Sequence, residues 1–214
     1  MKLVVVFFKM VKRLYRYPVN VFENAFSMFL FKVNGALVGR EFRSNGVPFV
    51  DVALDGSLTI GRNFRINNGE KHNPIGRQQQ CLFVVGKGAK ISIGNNVGIS
   101  SSAFISHKNI KIGDNVKIGG NSVIYDTDFH SLDYLKRRDK ALDFLNKESQ
   151  EVVIEDDVFI GAHTTILKGV KIGRNSIIGA SSVVSKSIPP NQIWAGNPIK
   201  FIRKITNNEE KEEN

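Results

Sequence analysis

Isoleucine returns every sixth residue along much of this chain, and that period decides what the chain can fold into. Ile112, Ile118 and Ile124 are six apart, and the beat resumes at Ile154, Ile160, Ile166, Ile172, Ile178 and Val184. Upstream, Ile99 and Ile105 keep it, with Ile112 following after one extra residue. Ile60 in "GSLTIGRNFRI" (56–66) and Ile93 in "AKISIGNNVGI" (89–99) hold equivalent places 33 residues apart, so both belong to coils of one repeat with an insertion between them. Six does not match the helical period. It suits a short strand and a tight turn, and three such units close a triangular coil of about eighteen residues. The isoleucines then stack in an inner column, while Gly113, Gly119, Gly161, Gly173 and Gly179 let the backbone bend at corners. Asn and Asp in "GDN", "GNN" and "GRN" are turn formers. The expected fold is mainly β, a parallel β-helix over 50–205.

Two stretches break the beat. "NNGEKHNPIGRQQQ" (67–80) is polar and carries Gly and Pro, which makes it an exposed loop. The second follows His130, which stands where the beat after Ile124 should fall. "SLDYLKRRDKALDFLNKESQEV" (131–152) has no isoleucine and ten charged residues, so it leaves the coil as a long excursion. Beyond Pro189-Pro190 the chain is expected to end in a short helix before 205, and 206–214 reads as a disordered acidic tail.

Residues 1–49 form a separate basic, apolar and helical segment. The first fifty residues carry eight Lys and Arg against Glu23 and Glu41, a net of +6 within the chain's +10. The apolar runs Leu3 to Phe8 and Phe26 to Phe31 fall well short of the roughly 20 residues that span a bilayer. The first is a poor signal peptide, because its apolar core ends at Lys9 and no small-residue cleavage site follows. Pro18 divides the segment, predicting two short helices, about 2–16 and 20–33. They either cap the open end of the repeat core or lie peripherally in an anionic membrane interface. No aromatic-plus-basic pattern points to nucleic acid. Cys81, the one cysteine, excludes an internal disulfide and reads as an ordinary buried residue, compatible with a cytoplasmic location.

"IGDNVKIGG", "IGAHTTILKGVKIGRNSIIGASSVV" and the closing "WAGNP" resemble the hexapeptide-repeat acyltransferases, over about 50–205. The resemblance implies a left-handed parallel β-helix; nothing in the spacing gives the hand. "DTDFHSLD", a charged loop and then "VVIEDDVFIGAHTTILKGV" are similar to the branch that acetylates sugar hydroxyls, including maltose, galactoside, xenobiotic and polysaccharide O-acetyltransferases. That branch implies a homotrimer using acetyl-CoA, with sites between subunits and His130 at the catalytic position. Phe159 stands where those enzymes often carry tryptophan, and Ser100 to Ser102 where galactoside-type enzymes carry an asparagine.

A neutral imidazole can take a proton from a sugar hydroxyl and return it to a thiolate leaving group. Asp126, Asp128 and Asp133 are candidates to orient His130, with Asp133 preferred, and a backbone carbonyl is the alternative. Ser101 is a candidate oxyanion donor. The resemblance puts the nucleotide end of acetyl-CoA along the small residues Gly161, Ala162, Thr164, Gly179, Ala180 and Ser181. Lys186, Lys200 and Arg203 would meet its phosphates, with Trp194 and Pro198 near the adenine. Of the other histidines, His163 is expected to face solvent, His107 to sit in an irregular hexad, and His72 to reach an acceptor from the 67–80 loop. The histidines are 35, 23 and 33 residues apart, which lacks the close pair a γ-class carbonic anhydrase zinc site needs, so no metal is expected. N-acetylation of an amino sugar, O-acetylation of serine and a non-catalytic scaffold remain the alternatives.

Overall fold

A computed structural model describes residues 1–75 and 79–206. The acidic tail expected at 206–214 therefore lies, beyond its first residue, outside the described residues. Helix α1 (Lys2–Val33) leads into six coils of three strands each. The coils are β1 (Leu37–Val38), β2 (Arg43–Asn45) and β3 (Phe49–Val52); β4 (Ser57–Ile60), β5 (Arg65–Asn67) and β6 (Leu82–Val85); β7 (Lys90–Ile93), β8 (Gly98–Ser100) and β9 (Ala103–Ser106); β10 (Asn109–Ile112), β11 (Lys117–Ile118) and β12 (Val123–Tyr125); β13 (Val152–Ile154), β14 (Phe159–Ile160) and β15 (Thr165–Ile166); and β16 (Lys171–Ile172), β17 (Ile177–Ile178) and β18 (Val183–Val184). A hairpin of β19 (Gln192–Ala195) and β20 (Lys200–Lys204) closes the chain. The strands stack into three sheets, the faces of a triangular prism, with every coil-to-coil pairing parallel.

The repeat works as its period implies. Ile60, Ile93, Ile112, Ile154 and Ile172 lie in register down the first face, and Ile66, Ile99, Ile118, Ile160 and Ile178 down the second. All ten are buried. On the third face Phe83, Phe104, Ile124, Ile166 and Val184 form the column. Ile105 is not in it: the corner before β9 is one residue shorter than in the next coil, so Phe104 turns inward and Ile105 lies on the wall opposite Tyr125. Four of the six corners after the first face use asparagines in the left-handed region, Asn63 (φ 54), Asn96 (φ 58), Asn115 (φ 61) and Asn175 (φ 58), and the other two use Glu41 and Asp157. Asn tolerates that conformation, and neighbouring side chains bond in a ladder, Asn63 to Asn96 and Asn96 to Asn115 at 3.0 Å each.

Three further expectations need correction. The coils begin at Leu37, not near 50, because residues 36–49 already pair with the second coil. The N-terminal segment is one helix running through Pro18 rather than two helices. Residues around Leu14 and Pro18 are largely exposed, so the carbonyl that proline leaves unbonded is open to water. Its last turn caps the core: Phe31 is fully buried and meets Phe42 and Phe83 edge-on. The C-terminal segment is the β19–β20 hairpin, not a helix. The open edge of β17 is satisfied by β19, through Ile177↔Ile193 and Ile178↔Trp194, and β20 folds back antiparallel.

Candidate active site

The excursion leaves the corner after β12 and is pinned at its neck. Gln150 N donates to Asp126 O at 2.8 Å, Asp128 N donates to Glu148 O at 3.0 Å, and Thr127 bridges Ser149 antiparallel. Beyond the neck it is helical, with α2 (Tyr134–Arg137) and α3 (Lys140–Asn146). Asp126 anchors the corner from inside. It is fully buried and accepts from Ser106 Oγ at 2.6 Å, His107 N at 2.7 Å and Lys108 N at 2.8 Å. Asp128 pairs outward with Lys168 at 3.3 Å.

His130 emerges just after the neck with 68% of its side chain exposed. Phe129 before it has φ 65, a costly conformation for a bulky residue, held by edge contacts to Tyr125 and His107. Nδ1 of His130 lies 2.7 Å from Oδ2 of Asp143, whose other oxygen accepts from Ser131 N at 2.7 Å. These hydrogen bonds, the one from His130 foremost, hold the Asp143 carboxyl below the usual carboxylate range. An ionised carboxylate only accepts, so the ring proton sits on Nδ1 and the lone pair on Nε2.

Asp143 is therefore the residue that orients His130, and none of the three predicted aspartates does. Asp133 caps α2, accepting from Leu135 N at 2.9 Å. Asp143 has no signal of its own in the sequence, where 131–152 reads as one long charged excursion. Asp139 before "KALDFLN" is an N-cap signal that could have given the helix α3 carrying it.

Ser101 does not face the site. It is fully buried at φ 42, its amide donates to Asn67 O at 2.9 Å, and its hydroxyl accepts from Gly69 N at 3.1 Å. His72 pairs with Glu23 at 3.1 Å. His163 is half-buried at a corner, at φ 62, rather than solvent-facing, and its Nδ1 is buried without a hydrogen-bond partner. His107 receives Lys147 Nζ at 2.7 Å on Nδ1. Burial, then Lys147, lowers the His107 pKa, and burial lowers that of Lys147. Burial pushes the Cys81 thiol up to about 12, which makes it unreactive.

The predicted cofactor residues divide. Gly161 and Gly179 are small for stacking: a Cβ on Gly161 would come 2.5 Å from Ala180 N, and one on Gly179 2.7 Å from Ala195 Cβ. Thr164 points inward, its hydroxyl donating to Gly161 O at 2.8 Å. Ala162, Ala180 and Ser181 share the corner after the second face and leave its outer side open. Lys186 lies over the Trp194 ring at 5.2 Å, and Trp194 meets Phe201 edge-on. Pro198, Lys200 and Arg203 are exposed on the hairpin. Small open residues flanked by cations fit a long polyanionic ligand. They stand at a different corner from His130, with the third face between.

A family model described as "Bacterial transferase hexapeptide (six repeats)" matches residues 151–186, and one described as "Hexapeptide repeat of succinyl-transferase" matches 90–126. A Saccharomyces cerevisiae protein named "Putative acetyltransferase YJL218W" is 37% identical over 150 residues, 70% of this chain; the chain spans 57% of that relative's length. The hexapeptide-repeat containing acetyltransferase of Vibrio cholerae O1 biovar eltor, solved with acetyl coenzyme A, is 27% identical with a TM-score of 0.55, over 83% of this chain and 75% of that one. A maltose O-acetyltransferase from Clostridium difficile 630 is 25% identical with a TM-score of 0.51, over 88% and 89%. The shared fold is the left-handed parallel β-helix.

Proposed function

The chain belongs to the hexapeptide-repeat acetyltransferase family, and from that premise we propose that it is an acetyl-CoA-dependent O-acetyltransferase acting on a hydroxyl of a sugar or cell-surface polysaccharide precursor. One observation carries the reading: an exposed imidazole bonded through Nδ1 to a carboxylate, with Nε2 left to act as general base. Acetyl-CoA supplies the acyl group as an activated thioester. Nε2 of His130 takes the proton of the acceptor hydroxyl as that oxygen bonds to the thioester carbonyl carbon. When the carbon–sulfur bond breaks, the imidazolium returns the proton to the departing sulfur, leaving an acetyl ester and a free thiol. Asp143 stabilises the imidazolium between the two transfers.

Ala162, Ala180 and Ser181 would line the donor's path, Lys186, Lys200 and Arg203 would meet its phosphates, and Trp194 and Pro198 its adenine. Because His130 and this corner stand apart on one chain, a second copy completes the site, which favours a homotrimer with sites between neighbours.

Thiol release from acetyl-CoA, measured with sugar, amino-sugar and serine acceptors in competition, tests the assignment. The sugar is expected to be preferred and to yield an alkali-labile ester. His130→Ala is expected to lower kcat on the order of 10²–10⁴-fold with acetyl-CoA binding retained. An alkali-stable amide product would move the protein to N-acetylation, and near-normal turnover by His130→Ala would remove the base.

A further inference from the structure

Helix α1 is 32 residues long, about 48 Å at 1.5 Å per residue. Its side chains that bond to the rest of the chain come from one side, and Met28 at the margin packs against the core. Arg16 donates to Lys71 O at 3.3 Å, Glu23 accepts from Gly46 N at 2.9 Å, Asn24 accepts from Ser44 N at 2.7 Å, Ser27 donates to Gly46 O at 3.3 Å, and Phe31 enters the core. Lys2, Lys9, Lys12 and Arg13 share that side, within an arc of about 100° on a helical wheel. The opposite side carries Val4, Phe7, Val11, Leu14, Phe22 and Phe29, all exposed.

We propose that this outward face lies in the interface of an anionic membrane, with the helix parallel to the surface. Three observations select a lipid surface over a second copy of the chain. Over residues 3–29 the apolar arc is about 180° wide, broader than the narrow seam of a helix pair, and Lys32 enters it only in the last turn. Tyr15 and Tyr17, both exposed, stand at its two margins, where ring and hydroxyl match the boundary between acyl chains and headgroups. Residues 1–22 carry five bases and no acid, complementary to lipid phosphates. No described helix is long and apolar enough to cross a membrane, which agrees with a helix lying in its surface. The proposal is independent of the reaction at His130.

Flotation of the full chain with vesicles tests it, using phosphatidylcholine alone and phosphatidylcholine mixed with phosphatidylglycerol. The chain is expected to float with the anionic vesicles and to be released by high salt. Phe7→Glu with Leu14→Glu abolishes flotation while circular dichroism and melting stay unchanged, since both side chains point away from the coils. Lys9→Gln with Arg13→Gln weakens partitioning on the order of 30-fold, at about 1 kcal/mol per base. Equal binding to both vesicles, or undiminished flotation of the Phe7→Glu/Leu14→Glu chain, overturns the proposal. Protection of residues 3–22 from hydrogen exchange in the vesicle-free oligomer overturns it in favour of a second copy.

Discussion

In the proposed reaction the chemistry at His130 rests on one hydrogen bond, because the partner of Nδ1 decides which ring nitrogen holds the lone pair. Asp143→Asn can donate as well as accept and so ceases to fix the tautomer. We expect kcat to fall by at least about 10²-fold with the KM for acetyl-CoA little changed. Asp133→Ala should leave turnover near normal and cost about 1 kcal/mol of helix-cap stability, read in melting. Steady-state kinetics on the two variants separate them. Since the fold lowers the Asp143 pKa from its ordinary 3.8, its contribution to stability is present above that value and disappears as pH falls through the folded pKa. The sequence singles out His130 as a candidate because a regular beat stops there. Asp143 was not, because its role arises from a contact across 13 residues of excursion that no local pattern records.

The excursion is an element of its own, joined to the coils by a short neck and by the pair of Lys147 and His107. Both members of that pair have lowered pKa values, so the fold favours neutral His107 accepting from Lys147. As pH falls below 6.5 the unfolded imidazole binds protons more readily than the folded one, and this part of the stability is lost. Protonated His107 would also set two cations 2.7 Å apart, with only buried Asp126 and the Asp143 carboxylate to offset them. Hydrogen exchange in 126–151, corrected for intrinsic rates, should therefore quicken below pH 6.5, and His107→Gln should flatten that dependence. An unchanged profile would assign the neck to its backbone bonds and to the pairs of Lys168 with Asp128 and Glu148. The place where the excursion leaves was readable from its missing isoleucines and its charge. Its helices were not, since segments this short owe their stability to caps and docking rather than to periodicity.

Across the whole molecule the coil wall was the most legible part, because in-register stacking repeats one local rule on each face. The ends were least legible, since α1 and the β19–β20 hairpin each meet the repeat only once. Assembly is tested by complementation. On the proposed reading His130→Ala lacks the base, and Ala180→Trp obstructs the donor corner. If neighbours share a site, randomly mixed trimers of these two inactive chains should regain about a quarter of native sites. A site confined to one chain would regain nothing.

The second face carries β11, β14, β17 and β19 as successive rungs of one ladder. At about 4.8 Å per rung, the hairpin stands about 14 Å along the axis from the coil that releases His130. Adding or removing one full turn would change that separation by a rung and keep the hairpin's bearing. Any smaller change would swing the hairpin to another face. The reach between His130 and the cationic end is thus quantised, a length the chain measures by counting.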